Sequence, residues 1–181
     1  MRVFPSPAAR ALCLAASLGF SISTFGLNLE DIRNTPDLTP GKLAAYFSDF
    51  EFKFRSEVQS PKVFLATRSG DCDDFSTLAA AVLREKGFTP RLITVRMPGV
   101  VHVVCYVEET RSYLDYNNRG YRNRTVSSGP EIEAIAESVA KSYELEWTSA
   151  SEFTYEDRAK RLVQTVLSST KSDKIIAGVF R

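Results

Sequence analysis

One histidine, His102, stands in a chain of 181 residues. There are three cysteines, no C-x-x-C pair, and therefore no ligand spacing for a structural zinc ion. Neither sign of charge prevails, since 23 Lys and Arg face 22 Asp and Glu and no stretch gathers the basic ones. That excludes the basic surface by which proteins hold nucleic acid or other polyanions. Long apolar runs are also missing. The longest, residues 11–22 (ALCLAASLGFSI), falls short of the roughly 20 residues a membrane span needs. What remains, 44% apolar residues over a chain of this length, suits one globular domain with a core of its own.

The same short apolar run has a use. It follows Arg2 and Arg10 with no acid between, and small residues come after it. This is the pattern of a secretory signal over residues 1–23, with cleavage after Ser23 or earlier, at Ala15–Ser17. Leu12 before Cys13 argues against a lipoprotein signal, and an N-terminal helix packed on the domain is the other reading. The expectation is export to the periplasm or medium, or membrane anchoring if the segment is not cleaved. Residues 24–181 then form a single domain, with a core over 60–120 and a helical C-terminal extension. The two cysteines beyond the signal have different settings. Cys105 lies in VVHVVCYV, a strand-like run where a thiol acts as a small hydrophobe. Cys72 lies in a polar segment that opens a helix.

That helix is the most legible element. Asp71 is a good N-cap, and Asp73 and Asp74 put negative charge into the first turn. Phe75, Leu78, Ala79, Val82 and Leu83 fall on one helical stripe, and Gly87 stops it. Residues 91–95, 100–108 and 111–116 follow as strands joined by tight turns, which makes the fold α+β with the Cys72 helix packed on an antiparallel sheet. Upstream, Phe50, Phe52 and Phe54 alternate with polar residues, as in an extended segment with one buried face. Residues 62–67 read as a short helix. Downstream, helices are expected over 130–143 and 155–167, with Trp147 as a packing anchor between them.

Placed on this scaffold, the reactive residue types form a set. A thiol at a helix start feels unsatisfied N–H groups, which favour the thiolate. The carboxylates of Asp71, Asp73 and Asp74 oppose it, so a neighbouring imidazolium is needed. On an alternating strand His102 shares a face with Val104 and Tyr106, while Val103, Cys105 and Val107 take the other. Asp115, on the next strand, is placed to hold the second ring nitrogen of His102, with Asn117 as the nearest substitute. Each residue also has a plain structural reading: a packed cysteine, a hydrogen-bonded histidine, an Asp opening a turn. Order and element types agree for all three at once.

At Gly70-Asp71-Cys72-Asp73-Asp74-Phe75-Ser76, then Leu83-Arg84, Gly87-Phe88, Pro90-Arg91, His102 and Leu114-Asp115, the chain resembles the transglutaminase-like superfamily. Within it, the nearest likeness is to the bacterial transglutaminase-like cysteine peptidases. The resemblance covers roughly residues 60–120. It implies a papain-like α+β core, a catalytic Cys72, His102 and Asp115, thiol attack on an amide carbonyl and an acyl-enzyme. It also implies an oxyanion donor upstream of the cysteine, for which Gln59 is the nearest residue, with the Cys72 backbone N–H as a second contributor. No cofactor is implied except calcium, which some relatives hold through acids placed like Asp71, Asp73 and Asp74. An N-cap with first-turn acids accounts for the same three residues. The function expected is a thiol hydrolase acting on a protein or peptide, with no nucleic acid partner. Acyl transfer to an amine and a silent binding module are the alternatives.

Overall fold

The computed structural model describes residues 27–118, 125–156 and 159–168. The expected signal segment with its cleavage site, and residues 169–181, lie outside them. Two short helices open the described chain: α1, Leu29–Arg33, and α2, Pro40–Ala45. A two-residue strand β1, Glu51–Phe52, runs parallel to β2, Ser69–Gly70, with helix α3, Pro61–Thr67, between them. Helix α4, Cys72–Glu85, follows at once. Strands β3, Pro90–Met97, and β4, Val100–Val107, form a long antiparallel pair, which β5, Ser112–Leu114, and β6, Thr125–Ser127, extend on one side. Helix α5, Ile132–Ser142, comes next. A hairpin of β7, Ser149–Glu156, and β8, Ala159–Leu167, then adds to the other edge of β3. The six-stranded order is β6-β5-β4-β3-β7-β8, antiparallel throughout, and the fold is α+β.

Alternation in β3 and β4 fills both faces of this sheet. Leu92, Val103, Cys105, Val107 and Phe153 join α2, α3 and α4 in one core. Ile93, Val95, Val104, Tyr106 and Tyr113 join α5 in the other. The face assignment made from the strand pattern holds, and Cys105 is fully buried, where loss of hydration pushes its thiol up to about 12. Trp147 packs on the α5 side, and its Nε1 donates to Glu137 at 3.1 Å.

Local chemistry fixes α4. The Asp71 carboxylate accepts from the N–H groups of Asp73 and Asp74, while the Asp74 carboxylate accepts from the Asp71 N–H, a reciprocal capping box. At the far end Gly87 takes φ of 85°, and the N–H groups of Gly87 and Phe88 return to the carbonyls of Arg84 and Leu83. Only glycine adopts that backbone without strain, and the two bonds close the helix. Gly70 is required for a different reason. A Cβ there would stand 2.8 Å from both Gln59 Nε2 and Phe64 Cδ2, and would strike the Asp74 carboxylate.

Two expectations are corrected. Of the alternating phenylalanines only Phe50 is buried, whereas Phe52 and Phe54 are 52% and 79% exposed. Strand β1 is too short to lay a whole face on the core; Phe50 instead turns into an aromatic cluster with Phe47 and Phe64. The described residues of 155–167 form no helix: 155–156 end β7 and 159–167 are β8. Leu162, Val163, Val166 and Leu167 mimic a helical stripe, yet only Val166 packs against the core, and Leu162 and Val163 stay 66% and 56% exposed. The β-branched Val163, Thr165 and Val166 favour a strand, and β7 supplies the hydrogen-bonding edge. The tight turn expected at 109–110 is a 3₁₀ turn, Glu108–Thr110, closed by Arg111 at φ of 45°.

Candidate active site

Cys72 is the first helical residue of α4 and is half-buried at its start. Its backbone N–H has no partner within the helix, as for any first-turn residue. The aromatic cluster sets where this helix end sits. Phe75 packs at 5.1 Å from Phe47 and 5.3 Å from Tyr116, and the Tyr116 hydroxyl donates to the Glu51 carbonyl at 3.1 Å. Tyr116 follows Asp115 directly, so one cluster fixes both the thiol and the carboxylate in place.

His102, near the start of β4, and Asp115, just past β5, are both buried. His102 Nε2 lies 2.9 Å from Asp115 Oδ1, which also accepts the Asn117 backbone N–H at 2.8 Å. An ionised carboxylate only accepts, so Nε2 carries the proton in this pair. Nδ1 is the nitrogen that remains, and His102 lines the same cleft as Cys72. Burial alone would push the imidazole pKa down. The hydrogen bonds to Asp115 and Cys72, with their charges, outweigh it and raise His102 to about 9. The three residues singled out in the sequence are therefore brought together, with Asp115 and not Asn117 on the ring.

Two neighbours were not foreseen. The Tyr143 ring lies 5.3 Å from that of His102, and its hydroxyl is hydrogen-bonded to the Asn117 side chain. Burial, then the Asp115 charge, pushes its phenol pKa up, so it stays protonated. Lys160, on β8, reaches the same cleft. No spacing rule pointed to either: Tyr143 only ends a helix, and Lys160 fell in a segment expected to be helical.

The cleft at Cys72 encloses about 280 Å³. His102, Tyr143 and Lys160 line it, and Phe52, Phe54 and Val101 make its exposed apolar rim. A larger cavity of about 960 Å³ adjoins it, sharing Asp73 and Lys160.

Gln59 lies in that second cavity, away from the thiol. Its Nε2 donates to Asp74 Oδ2 at 2.7 Å and to the Ser69 carbonyl at 3.0 Å. Both amide hydrogens are thus spent, and the oxyanion role expected of Gln59 does not fit this geometry. Two of the three acids considered for calcium already accept backbone hydrogen bonds beyond the helix cap. Asp71 Oδ2 accepts the Arg55 N–H at 2.8 Å and Asp74 Oδ1 accepts the Gln59 N–H at 2.6 Å, in addition to the capping bonds. Among the described residues no three His, Cys, Asp or Glu side chains converge as a metal site. Asp73 differs from its neighbours: Oδ1 is buried without a hydrogen-bond partner, and burial raises its pKa.

No curated protein matches the chain. Among solved structures, calcium-bound LapG of Legionella pneumophila is similar with a TM-score of 0.48 and 15% identity, over 83% of this chain and 84% of that one. A candidate cysteine protease from Cytophaga hutchinsonii is similar with a TM-score of 0.37 and 16% identity, over 76% of this chain and 47% of that one. The family model that matches is that of the transglutaminase-like superfamily, over residues 40–115, a span that holds Cys72, His102 and Asp115.

Proposed function

We propose that this chain is a thiol-dependent hydrolase of peptide or amide bonds, with Cys72 as nucleophile, His102 as proton carrier and Asp115 as the residue that orients it. One observation carries the reading: a buried His102–Asp115 pair at 2.9 Å opens onto the same cleft as a thiol at a helix start. With His102 raised to about 9, the ring keeps both protons at neutral pH and stands as an imidazolium beside Cys72. The sulfur attacks the carbonyl carbon, and the C=O π electrons of the amide move onto the oxygen, which becomes an oxyanion. The Cys72 N–H donates to that oxyanion. His102 then gives its Nδ1 proton to the leaving nitrogen, the C–N bond breaks, and a thioester remains on Cys72. Water attacks the thioester, loses a proton to Nδ1, and releases the acid. Asp115 holds Nε2–H throughout, which fixes the ring's direction.

The exposed Phe52, Phe54 and Val101 favour an extended polypeptide with apolar side chains as substrate. Residues 1–23 act as an export signal in this reading, and the mature chain works outside the cytoplasm as one domain. The test is incubation with an unfolded protein substrate, with and without an added primary amine, followed by mass spectrometry. New termini that disappear in Cys72→Ala and His102→Ala support the hydrolase. Amine incorporation instead of cleavage would make the chain an acyltransferase, and turnover that survives Cys72→Ala would end the thiol mechanism.

A further inference from the structure

The start of α4 poses an electrostatic problem for the proposed nucleophile. Asp71, Asp73 and Asp74 flank Cys72, and each negative charge opposes a thiolate. Asp71 and Asp74 are held by backbone N–H groups and by Gln59, which spread their charge into hydrogen bonds. Asp73 has no such help at Oδ1. It borders both the Cys72 cleft and the larger cavity beside it, and so does Lys160.

Lys160 reaches that point from the opposite end of the chain. The residue as a whole remains in contact with solvent, yet its ammonium is turned inward, as long basic side chains allow. Nζ donates to the buried Thr94 hydroxyl at 3.0 Å and lies 3.8 Å from the centre of the Phe153 ring. A hydroxyl acceptor and an aromatic face hold a cation in a defined place without neutralising it.

We infer that Lys160 is a positioning residue of this site, an ammonium that the β7–β8 hairpin holds beside Asp73 and Cys72 to offset the carboxylate left unpaired at the start of α4. The inference rests on the reading of Cys72 as the reactive thiol. The groups that face Cys72 are Asp71, Asp73 and Asp74 on its own helix start, Arg55 before α3, His102 on β4, Tyr143 after α5 and Lys160 on β8. Arg96 on β3 faces Lys160 in turn. Burial of the ammonium holds the pKa of Lys160 below the usual lysine range; the Asp73 charge opposes that shift, Arg96 adds to it, and Cys72 opposes it again. Tyr143 stays neutral, so His102, Lys160 and Arg55 are the cations in the cleft.

The experiment is the pH profile of Cys72 alkylation by iodoacetamide in the full chain, with labelled peptides resolved by mass so that Cys13 and Cys105 are scored separately. Lys160→Met is expected to move the midpoint up by about one pH unit, which is about tenfold slower labelling below it. Lys160→Arg should restore the wild-type midpoint, and Asp73→Asn should lower it. The double variant Lys160→Met/Asp73→Asn should return close to wild type, because the two charges cancel. If Lys160→Met does not fold by circular dichroism, Lys160→Gln keeps a donor for Thr94 and removes the same charge. A wild-type midpoint in the neutral variant, or a double variant that matches Asp73→Asn alone, overturns the inference. His102→Ala tests the parent reading separately. An unchanged profile there removes the activated thiol, while the Lys160 shift, a charge effect on any anion at Cys72, is still measured.

Discussion

Raising the pH from about 6 to about 10 should destabilise this protein through His102, in a window set by its two pKa values. The folded state raises the imidazole from 6.5 to about 9. A folded-state value above the unfolded one means that the native protein binds the proton more tightly. The resulting stability is complete below about 6.5, declines as the pH climbs, and is gone once it passes about 9. The two values lie about 2.5 pH units apart, and each unit corresponds to about 1.4 kcal/mol, which gives about 3 kcal/mol in total. Because lysines, tyrosines and thiols titrate in the same range, the assay is a difference. Urea unfolding free energies are measured at half-unit pH steps for the wild type and for His102→Gln, and one curve is subtracted from the other. The difference should fall by about 3 kcal/mol across that window. In Cys72→Ser the part owed to Asp115 should persist while the part owed to the thiol disappears. A difference curve that is flat between 6.5 and 9 would mean that neither Asp115 nor Cys72 acts on the ring as the geometry requires.

Other perturbations give equally definite outcomes. Asp115→Asn keeps the shape but removes the charge that holds Nε2–H, so Cys72 alkylation at neutral pH should slow by about tenfold or more, measured by labelling kinetics. Gly70→Ala forces a Cβ against Gln59, Phe64 and Asp74, and chemical denaturation should show a loss of about 1–3 kcal/mol; a neutral result would mean that the segment before Cys72 yields easily. Asp71→Ala removes the N-cap of α4 and leaves the Arg55 N–H without its acceptor, with an expected cost of about 1–2 kcal/mol in the same assay. Phe52→Ser with Phe54→Ser should leave the thermal midpoint unchanged, since both rings are exposed, while raising KM for an apolar peptide. A large stability loss would place these rings in the fold instead of at the substrate.

The sequence by itself determined α4, its Asp71 cap, its Gly87 stop and the two-faced strands that follow. These are governed by contacts within a few residues: a side-chain oxygen over its own helix start, a backbone that needs a positive φ, a period of two on a buried sheet. His102 was legible because no other imidazole exists, and Asp115 because the strand after β4 had to run beside it. Only the tertiary structure decided the fate of 159–167, where a helix-like stripe pairs with β7, which is itself held on the edge of β3. The same holds for Phe52 and Phe54, which alternate like buried residues but find no core beneath them. Lys160 and Tyr143 enter the cleft from elements 88 and 71 residues beyond Cys72 in the chain. Local patterns carry no record of such meetings, because the packing of α5 and the β7–β8 hairpin on the sheet is what creates them.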